Sequence, residues 1–483
     1  MSEQILLQGK ILGVEEFLLS KAGDAPSPRS GGEELLAGRS QWITLLSEVL
    51  PRALLAELGL ARILLGSSGG GQFLLVLPGE ALGPANEFLT AAAADIGRMS
   101  GGHVKLVWSS TENLGDWSVV RKRLGEALQK RRDTPVTDPA ATFRPFVPQP
   151  AGEFDQYFSK ELGAKLRDAA RVGWSPDAPG MVLPNTGKHS WTITPNLSPE
   201  GIMLARHAAP SDDGKATAPV QSLARRAQGR SMWGVLRGDV DSFGVRLRRV
   251  ASIEEHVPLS VLYKQFFAGE LEVLCSMPEF WRKVSILYSG GDDFAVYGSW
   301  DALIQLAREV QRLFHRFAEE NLKDFPGPEG KTISMAMALS PEIHYPLSAV
   351  YEQAGRNLDL AKAADKDCIY VLGRVLEWKQ LADAAELKDT VTRLVNEFRL
   401  SRQFLLELRS FYSRERYGNG EEAQHTWRFQ RRFSRILAGT RDRDFQKLRA
   451  HLISDIAGRR SAEVKLRPAG LVALEWARLV SEG

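Results

Sequence analysis

The strongest constraint on how this chain folds is one short run, Tyr288-Ser289-Gly290-Gly291-Asp292-Asp293-Phe294, set between the apolar stretches Val284 to Leu287 and Phe294 to Tyr297. Two glycines between two apolar strands predict a β-hairpin, because glycine takes the positive φ that a tight turn demands. The turn then carries two adjacent carboxylates. A second acidic cluster, Gly238-Asp239-Val240-Asp241, closes another apolar strand that begins at Trp233.

The surrounding pattern predicts a domain from Trp233 to about Leu372. Its order is a strand (Trp233 to Leu236), a helix (Leu259 to Cys275), the hairpin, a helix (Asp301 to Glu320), a strand (Thr332 to Leu339), a helix (Leu347 to Ala364) and a strand (Ile369 to Leu372). In the second helix Ile304, Ala307, Val310, Phe314 and Phe317 share one face. This is the split βαβ order of a ferredoxin-like palm, with a helix and strand added.

The N-terminal part reads as a second copy. A strand (Ile5 to Leu7), a Gly-, Ser- and Pro-rich loop (Gly23 to Gly32) and a helix (Trp42 to Leu58), which Pro51 should kink or split, come first. A strand (Arg62 to Leu65), a glycine turn, a strand (Leu74 to Leu77), a helix (Ala85 to Met99) and a strand (His103 to Trp108) follow. Ser68-Gly69-Gly70-Gly71-Gln72-Phe73 aligns with Ser289-Gly290-Gly291-Asp292-Asp293-Phe294, and Gly9-Lys10 with Gly238-Asp239. Lys10, Gly71 and Gln72 thus replace three carboxylates. The first copy is a poor magnesium site, yet it keeps a glycine-rich backbone and a basic side chain to offer a nucleotide.

The expected fold class is α+β: two ferredoxin-like palms, a linker domain and a C-terminal α-helical domain. The boundaries fall at residues 1–130, 131–230, 231–375 and 376–483. The linker opens on the proline-rich Lys130 to Pro150, continues through a helix-like Phe154 to Ala170, and is loop-rich from Pro176 to Gly214. From Trp378 onward every periodic segment reads as helical and Lys and Arg are dense. Four hundred and eighty-three residues exceed what one core supports. A formal charge of +3 neither demands nor excludes nucleic acid. Two distant cysteines, Cys275 and Cys368, build neither a disulfide framework nor a four-cysteine zinc site. No apolar run of about 18 residues is present to span a membrane, and no signal peptide is visible, so a cytoplasmic location is expected.

Asp239, Asp292 and Asp293 are the candidate catalytic and metal-binding residues. Mg²⁺ takes one or two carboxylates and completes its shell with phosphates and waters. Two such metals activate a 3′-hydroxyl and stabilise departing pyrophosphate. Gly290 and Gly291 let backbone approach phosphate. Lys362 and Lys366 offer point charges to a triphosphate, or are surface lysines. Ser289 hydrogen-bonds a ribose or phosphate, or simply closes the turn. Gly327-Pro328-Glu329-Gly330-Lys331-Thr332 is not a P-loop, since Phe325 stands where the first glycine is needed and a strand follows. None of the eight histidines precedes an aspartate, so no histidine–aspartate phosphohydrolase site is visible.

These motifs resemble the polymerase-like large signature subunit of type III CRISPR effector complexes, especially its Csm branch. The resemblance runs through Leu36-Ala37-Gly38-Arg39-Ser40, Gly69 to Phe73, Gly234 to Gly244, Ser289 to Phe294, the helix around Ala361-Lys362 and the C-terminal helices. It implies that two ATP molecules bind between the palms and that the second palm joins them into cyclic oligoadenylates once target RNA is captured. It implies Mg²⁺ or Mn²⁺ at Asp239, Asp292 and Asp293, and a nucleotide held by Gly69, Gly70 and Gly71. It further implies guide RNA, target RNA, a guide 5′-end-binding subunit and a small helical subunit as partners, with no membrane. The first palm starts almost at Met1, so the histidine–aspartate nuclease domain of many members is expected to be missing. Two alternatives stay open. One is a scaffold with a vestigial palm, its basic stretch Arg428 to Arg435 facing RNA; the other is a stand-alone dinucleotide cyclase.

Overall fold

The computed structural model describes residues 4–19, 32–133, 153–194, 200–398, 402–415, 431, 434–435, 442–460 and 463–482. Most of the Gly23 to Gly32 loop, most of the Lys130 to Pro150 segment and most of Arg428 to Arg435 lie outside them.

Two sheets share one topology. In the first palm, β1 (Gln4–Leu12), β2 (Leu65–Gly69), β3 (Gln72–Pro78) and β4 (Lys105–Glu112) are ordered β2-β3-β1-β4. Helix α1 (Val14–Leu19) follows β1, α2 (Gly32–Glu57) leads to β2, α3 (Leu82–Met99) joins β3 to β4, and α4 (Trp117–Asp133) follows. A four-stranded sheet in the linker is formed by β5 (Arg171–Trp174), β6 (Leu183–Pro184), β7 (His189–Ile193) and β8 (Gly201–Ile202). The second palm contains β9 (Trp233–Val240), β10 (Val284–Gly290), β11 (Asp293–Ser299), β12 (Ile333–Leu339), β13 (Cys368–Val371) and β14 (Arg374–Glu377), ordered β10-β11-β9-β12-β13-β14. Its first four strands repeat the order of the first palm.

The repeat extends to single residues. Gly9 pairs with Phe73 and Lys10 with Gln72; Gly238 pairs with Phe294 and Asp239 with Asp293. Each phenylalanine lies flat over its glycine. A Cβ on Gly9 would stand 2.2 Å from the Phe73 ring, and one on Gly238 would stand 2.3 Å from the Phe294 ring. Both hairpins carry a bulge at the same place, at Gly66 between Leu65 and Ser67 and at Leu287 between Ile286 and Tyr288. A bulge bends its strand and raises its twist, so both glycine turns are aimed by the same device.

Several expected elements differ. Pro51 does not split α2, which runs unbroken for 26 residues. The ring removes one backbone hydrogen bond, but Trp42, Leu45, Leu46, Val49, Leu50, Ala53 and Leu54 are all buried around it. Packing from several sides outweighs the lost bond. The expected single helix Leu259 to Cys275 begins earlier and changes pitch. It consists of α5 (Ile253–Lys264), a π-helical stretch Gln265–Glu270 and α6 (Leu271–Cys275). The expected helix Phe154 to Ala170 is likewise partly π-helical, at Tyr157–Gly163.

The C-terminal part is not all helical. Helices Trp378–Asn396, Arg402–Glu415, Arg443–Ile456 and Pro468–Ser481 are joined by a hairpin of Ala457–Arg460 and Glu463–Leu466. Alternation in Glu463-Val464-Lys465-Leu466 is too short a signal to separate from the helices around it. Leu387, Val391 and Leu394 of the first of these helices and Val472, Ala473 and Trp476 of the last join the core of the second palm. Among the described residues no helix is long and apolar enough to cross a membrane.

The linker bridges the palms. Trp42 Nε1 donates to the Gly180 carbonyl at 2.8 Å, and the Gly180 amide donates to Asp95 at 2.9 Å. At the other end the Ile286 amide donates to the His207 carbonyl at 2.8 Å, which covers the free edge of β10. Gly238→Ala and Gly9→Ala are each expected to destabilise the chain by about 1–3 kcal/mol through overpacking against phenylalanine. Urea unfolding of both variants measures this; the control is Gly97→Ala in helix α3, where a Cβ meets nothing within 4 Å and alanine is expected to add about 0.5–1 kcal/mol rather than cost any.

Candidate active site between two glycine turns

The two hairpin tips meet. A Cβ built on Gly70 would lie 2.9 Å from Gly291 Cα, and one on Gly291 would lie 3.1 Å from Gly70 Cα. Gly69, Gly70, Gly71 and Gly291 all have positive φ. Glycine is therefore required here twice over, for turn geometry and for backbone approach.

A cavity opens on each side of this contact. The one over the first palm measures about 550 Å³ and includes Lys10, Gln72, Arg121, Arg248, Lys264 and Asp292 in its lining. The one over the second palm measures about 270 Å³ and includes Gly71, Arg237, Tyr288, Asp292, Asp293 and Tyr351. Gly70 and Asp292 border both. The first cavity is lined by cations where the repeat has lost its carboxylates; the second keeps them.

The acidic residues sit on adjacent strands. Asp239 on β9 is the direct partner of Asp293 on β11, and the Val240 amide donates to the Asp292 carbonyl at 2.9 Å. Asp293 accepts a hydrogen bond from the Tyr288 hydroxyl at 3.1 Å. Burial, then Asp293 and Asp239, push the Asp292 carboxyl up to about 7. Burial, then Asp239, push Asp293 up to about 6, against the opposing pull of Tyr288, Arg237 and Lys362. Burial also raises Asp239, whose Oδ1 lies 2.7 Å from Lys362 Nζ. Among the described residues no three acidic, histidine or cysteine side chains form a closed metal cage. What exists is an open set of mutually repelling carboxylates beside a cavity. That donor set suits a hard cation that takes its remaining ligands from phosphate and water.

The other candidates separate. Lys362 joins the acidic group through Asp239. Lys366 lies past the end of helix Leu347–Ala364 with positive φ, and its Nζ donates to the Ser242 hydroxyl at 2.8 Å. Ser289 is buried and donates to the Phe267 carbonyl at 2.6 Å, so its hydroxyl is not presented to the cavity. Asp241, although two residues from Asp239, is a structural carboxylate. It accepts from Thr332 Oγ1 at 2.8 Å, Ser334 Oγ at 2.7 Å and the Asp367 amide at 2.9 Å, and is 4% exposed.

Arg237 and Tyr288 lie within the quoted motifs but have no role assigned there, and Tyr351 lies in none of them. The Arg237 guanidinium lies 4.3 Å from the Tyr351 ring centroid. Strand alternation alone puts Arg237 on the face of Asp239, two residues on.

Residues 232–370 match the family model described as Cas10/Cmr2, second palm domain. A curated relative, the CRISPR system single-strand-specific deoxyribonuclease Cas10/Csm1 (subtype III-A) of Enterococcus italicus, is 29% identical over 171 residues. The match covers 34% of this chain and only 21% of that relative. Solved structures of a Csm1–Csm4 cassette in complex with pppApA and with cA4 share the fold. Each has a TM-score of 0.71 and 18% identity, and the match covers 99% of this chain and 69% and 70% of theirs, respectively. The second palm is thus similar in sequence to that of Cas10-type large subunits of type III CRISPR systems, and the chain shares the fold of Csm1, in line with the resemblance its motifs carry.

Carboxyls held above their ordinary value favour the folded state at low pH. That contribution is complete below about 3.8 and is lost as pH rises through about 6 to 7. Chelator-treated protein is expected to lose thermal stability between about pH 5 and about pH 8, and Asp292→Asn/Asp293→Asn to lose distinctly less. Calorimetry of both proteins across that range is the check; equal losses contradict the repulsion described here.

Proposed function

We propose that this chain is a metal-dependent nucleotidyltransferase that joins ATP into cyclic oligoadenylates within an RNA-guided type III complex. The observation that carries the reading is Asp239 directly opposite Asp293, with Asp292 at a turn that touches the glycine turn of a copy in which Lys10, Gly71 and Gln72 stand in the place of these three carboxylates. The pppApA and cA4 held by the similar Csm1–Csm4 structures are a linear and a cyclic product of this kind of joining.

Each joining step forms a bond from the 3′-oxygen of one adenosine to the α-phosphorus of another nucleotide. The α–β phosphoanhydride breaks, pyrophosphate leaves with the bonding electron pair, and the hydroxyl proton passes to solvent. Ring closure is the same step turned on the 5′-triphosphate of the chain itself. Asp239, Asp292 and Asp293 would hold Mg²⁺ or Mn²⁺, which supplies activation of the hydroxyl and charge neutralisation at the leaving group. Lys362, released from Asp239, then faces phosphate as a point charge. Gly69, Gly70, Gly71, Gly290 and Gly291 admit phosphate oxygens to bare backbone. Lys10, Arg121 and Arg248 neutralise the other triphosphate without a metal. Guide RNA, target RNA and neighbouring subunits, including a Csm4-like one, are the expected partners.

The test is mass spectrometry of products after the assembled complex meets ATP, Mg²⁺ or Mn²⁺ and target RNA. Wild type should yield cyclic oligoadenylates, chelator should abolish them, and Asp292→Ala/Asp293→Ala should reduce them by on the order of 10²-fold or more. Undiminished product from the double variant refutes the assignment. No product from wild type leaves the scaffold reading, and product from the isolated chain without RNA favours a free cyclase.

A further inference from the structure

One buried ionic cluster lies beneath the first glycine turn, with Ser68 and Lys264 at the wall of the first cavity and Glu48 behind them. Glu48 of α2 is 2% exposed and receives Lys264 Nζ at 2.5 Å on Oε1. Its Oε2 accepts from Arg52 Nη1 at 2.7 Å and from the Ser68 hydroxyl at 2.9 Å. Lys264 Nζ also donates to Ser68 Oγ at 3.4 Å. A Cβ on Gly69 would stand 3.0 Å from Glu48 Oε1, so the cluster closes directly on the turn. Burial pushes the Glu48 carboxyl upward, but Lys264 and Arg52 outweigh it and bring it down to about 2.

Lys264 is the last residue of α5, and the chain widens into its π-helical stretch at Gln265. Three residues on, the Phe267 carbonyl accepts the Ser289 hydroxyl, and the Phe267 ring stacks on Phe294 at 6.2 Å. Ser68 and Ser289 are equivalent positions of the repeat, each paired with its copy's phenylalanine. Both serines are therefore tied, one through its ionic cluster and one directly, to a single segment of four residues. π-Helical turns inside helices often mark functional sites. A buried ion pair is a weak source of stability, since apolar replacements of both partners serve as well.

We infer that residues 264–267 form a clamp that fixes the spacing of the two glycine turns, with Glu48 and Lys264 as positioning residues for the joining of two nucleotides. The catalytic half of this inference rests on the function proposed above; the clamp itself does not. Glu48 lines neither nucleotide cavity, so its effect has to pass through Ser68 and Lys264.

Glu48→Gln alone strands two buried cations and risks unfolding the chain. The working variant is therefore Glu48→Gln/Lys264→Met, compared with wild type and with Arg249→Ala, which breaks the remote Arg249–Glu329 pair. Hydrogen–deuterium exchange of the full chain should rise at both 66–73 and 286–293 in the double variant and at neither in Arg249→Ala. A rise at 66–73 alone overturns the clamp, whether or not the protein proves to be a nucleotidyltransferase. In the assembled complex at saturating ATP, formation of the first phosphodiester should slow by on the order of 10²-fold. Because Lys264 also lines the first cavity, ATP affinity is expected to fall as well, so the rate is compared at ATP concentrations that saturate each protein. A joining rate equal to wild type under those conditions overturns the positioning role.

Discussion

Two backbones touch where side chains would forbid it, and the rest of the site depends on that contact. Gly70 and Gly291 approach so closely that a methyl group on either collides with the other strand's backbone. The contact brings two sheets of the same topology tip to tip and divides the space between them into two cavities. Everything chemical then follows from which side chains each copy presents at its own face. Among the described residues, those of the linker and the C-terminal helices add to the two cores and line neither cavity.

The division of labour between the copies is electrostatic. In the second palm burial and the crowding of three carboxylates push Asp292 up to about 7 and Asp293 up to about 6, and raise Asp239 as well. In the first, Lys10 stands opposite Gln72, with Arg121 and Arg248 nearby, so negative charge on a ligand is met by fixed cations. The larger cavity lies on this cationic side. On the function proposed above, a nucleotide triphosphate would be neutralised in two unlike ways within one site, by a borrowed metal or by resident side chains.

Much of this was legible because the repeat leaves a strong local signature. Glycine pairs between apolar strands forecast both hairpins, and strand order put Asp239 beside the hairpin carboxylates. The register was not legible: that Asp293 rather than Asp292 pairs with Asp239, and that each glycine pairs with a phenylalanine, is seen only in the fold. Other features were invisible because tertiary packing overrode a local rule. Pro51 reads as a break until α2 is seen buried on several sides. For Ser289 the sequence leaves a ribose or phosphate contact and simple turn closure both open, and only the fold shows Phe267 taking its hydroxyl. Asp239 and Asp241 share one acidic cluster in the sequence, and only the fold separates them, because Thr332, Ser334 and the Asp367 amide converge on Asp241. Glu48 and Lys264 lie 216 residues apart by number, and nothing in a one-dimensional pattern joins them.

The glycine–phenylalanine stacks and the paired bulges involve none of the carboxylates. Geometry and chemistry are therefore carried by different residues, and one can drift without the other. After an ancestral doubling, the first copy could exchange its acids for Lys10, Gly71 and Gln72 and still deliver its turn to the same place. A symmetric ancestor with two acidic faces would set two like-charged sites against each other across a shared wall. The observed chain has traded that mutual repulsion for attraction, giving a substrate a direction in which to lie.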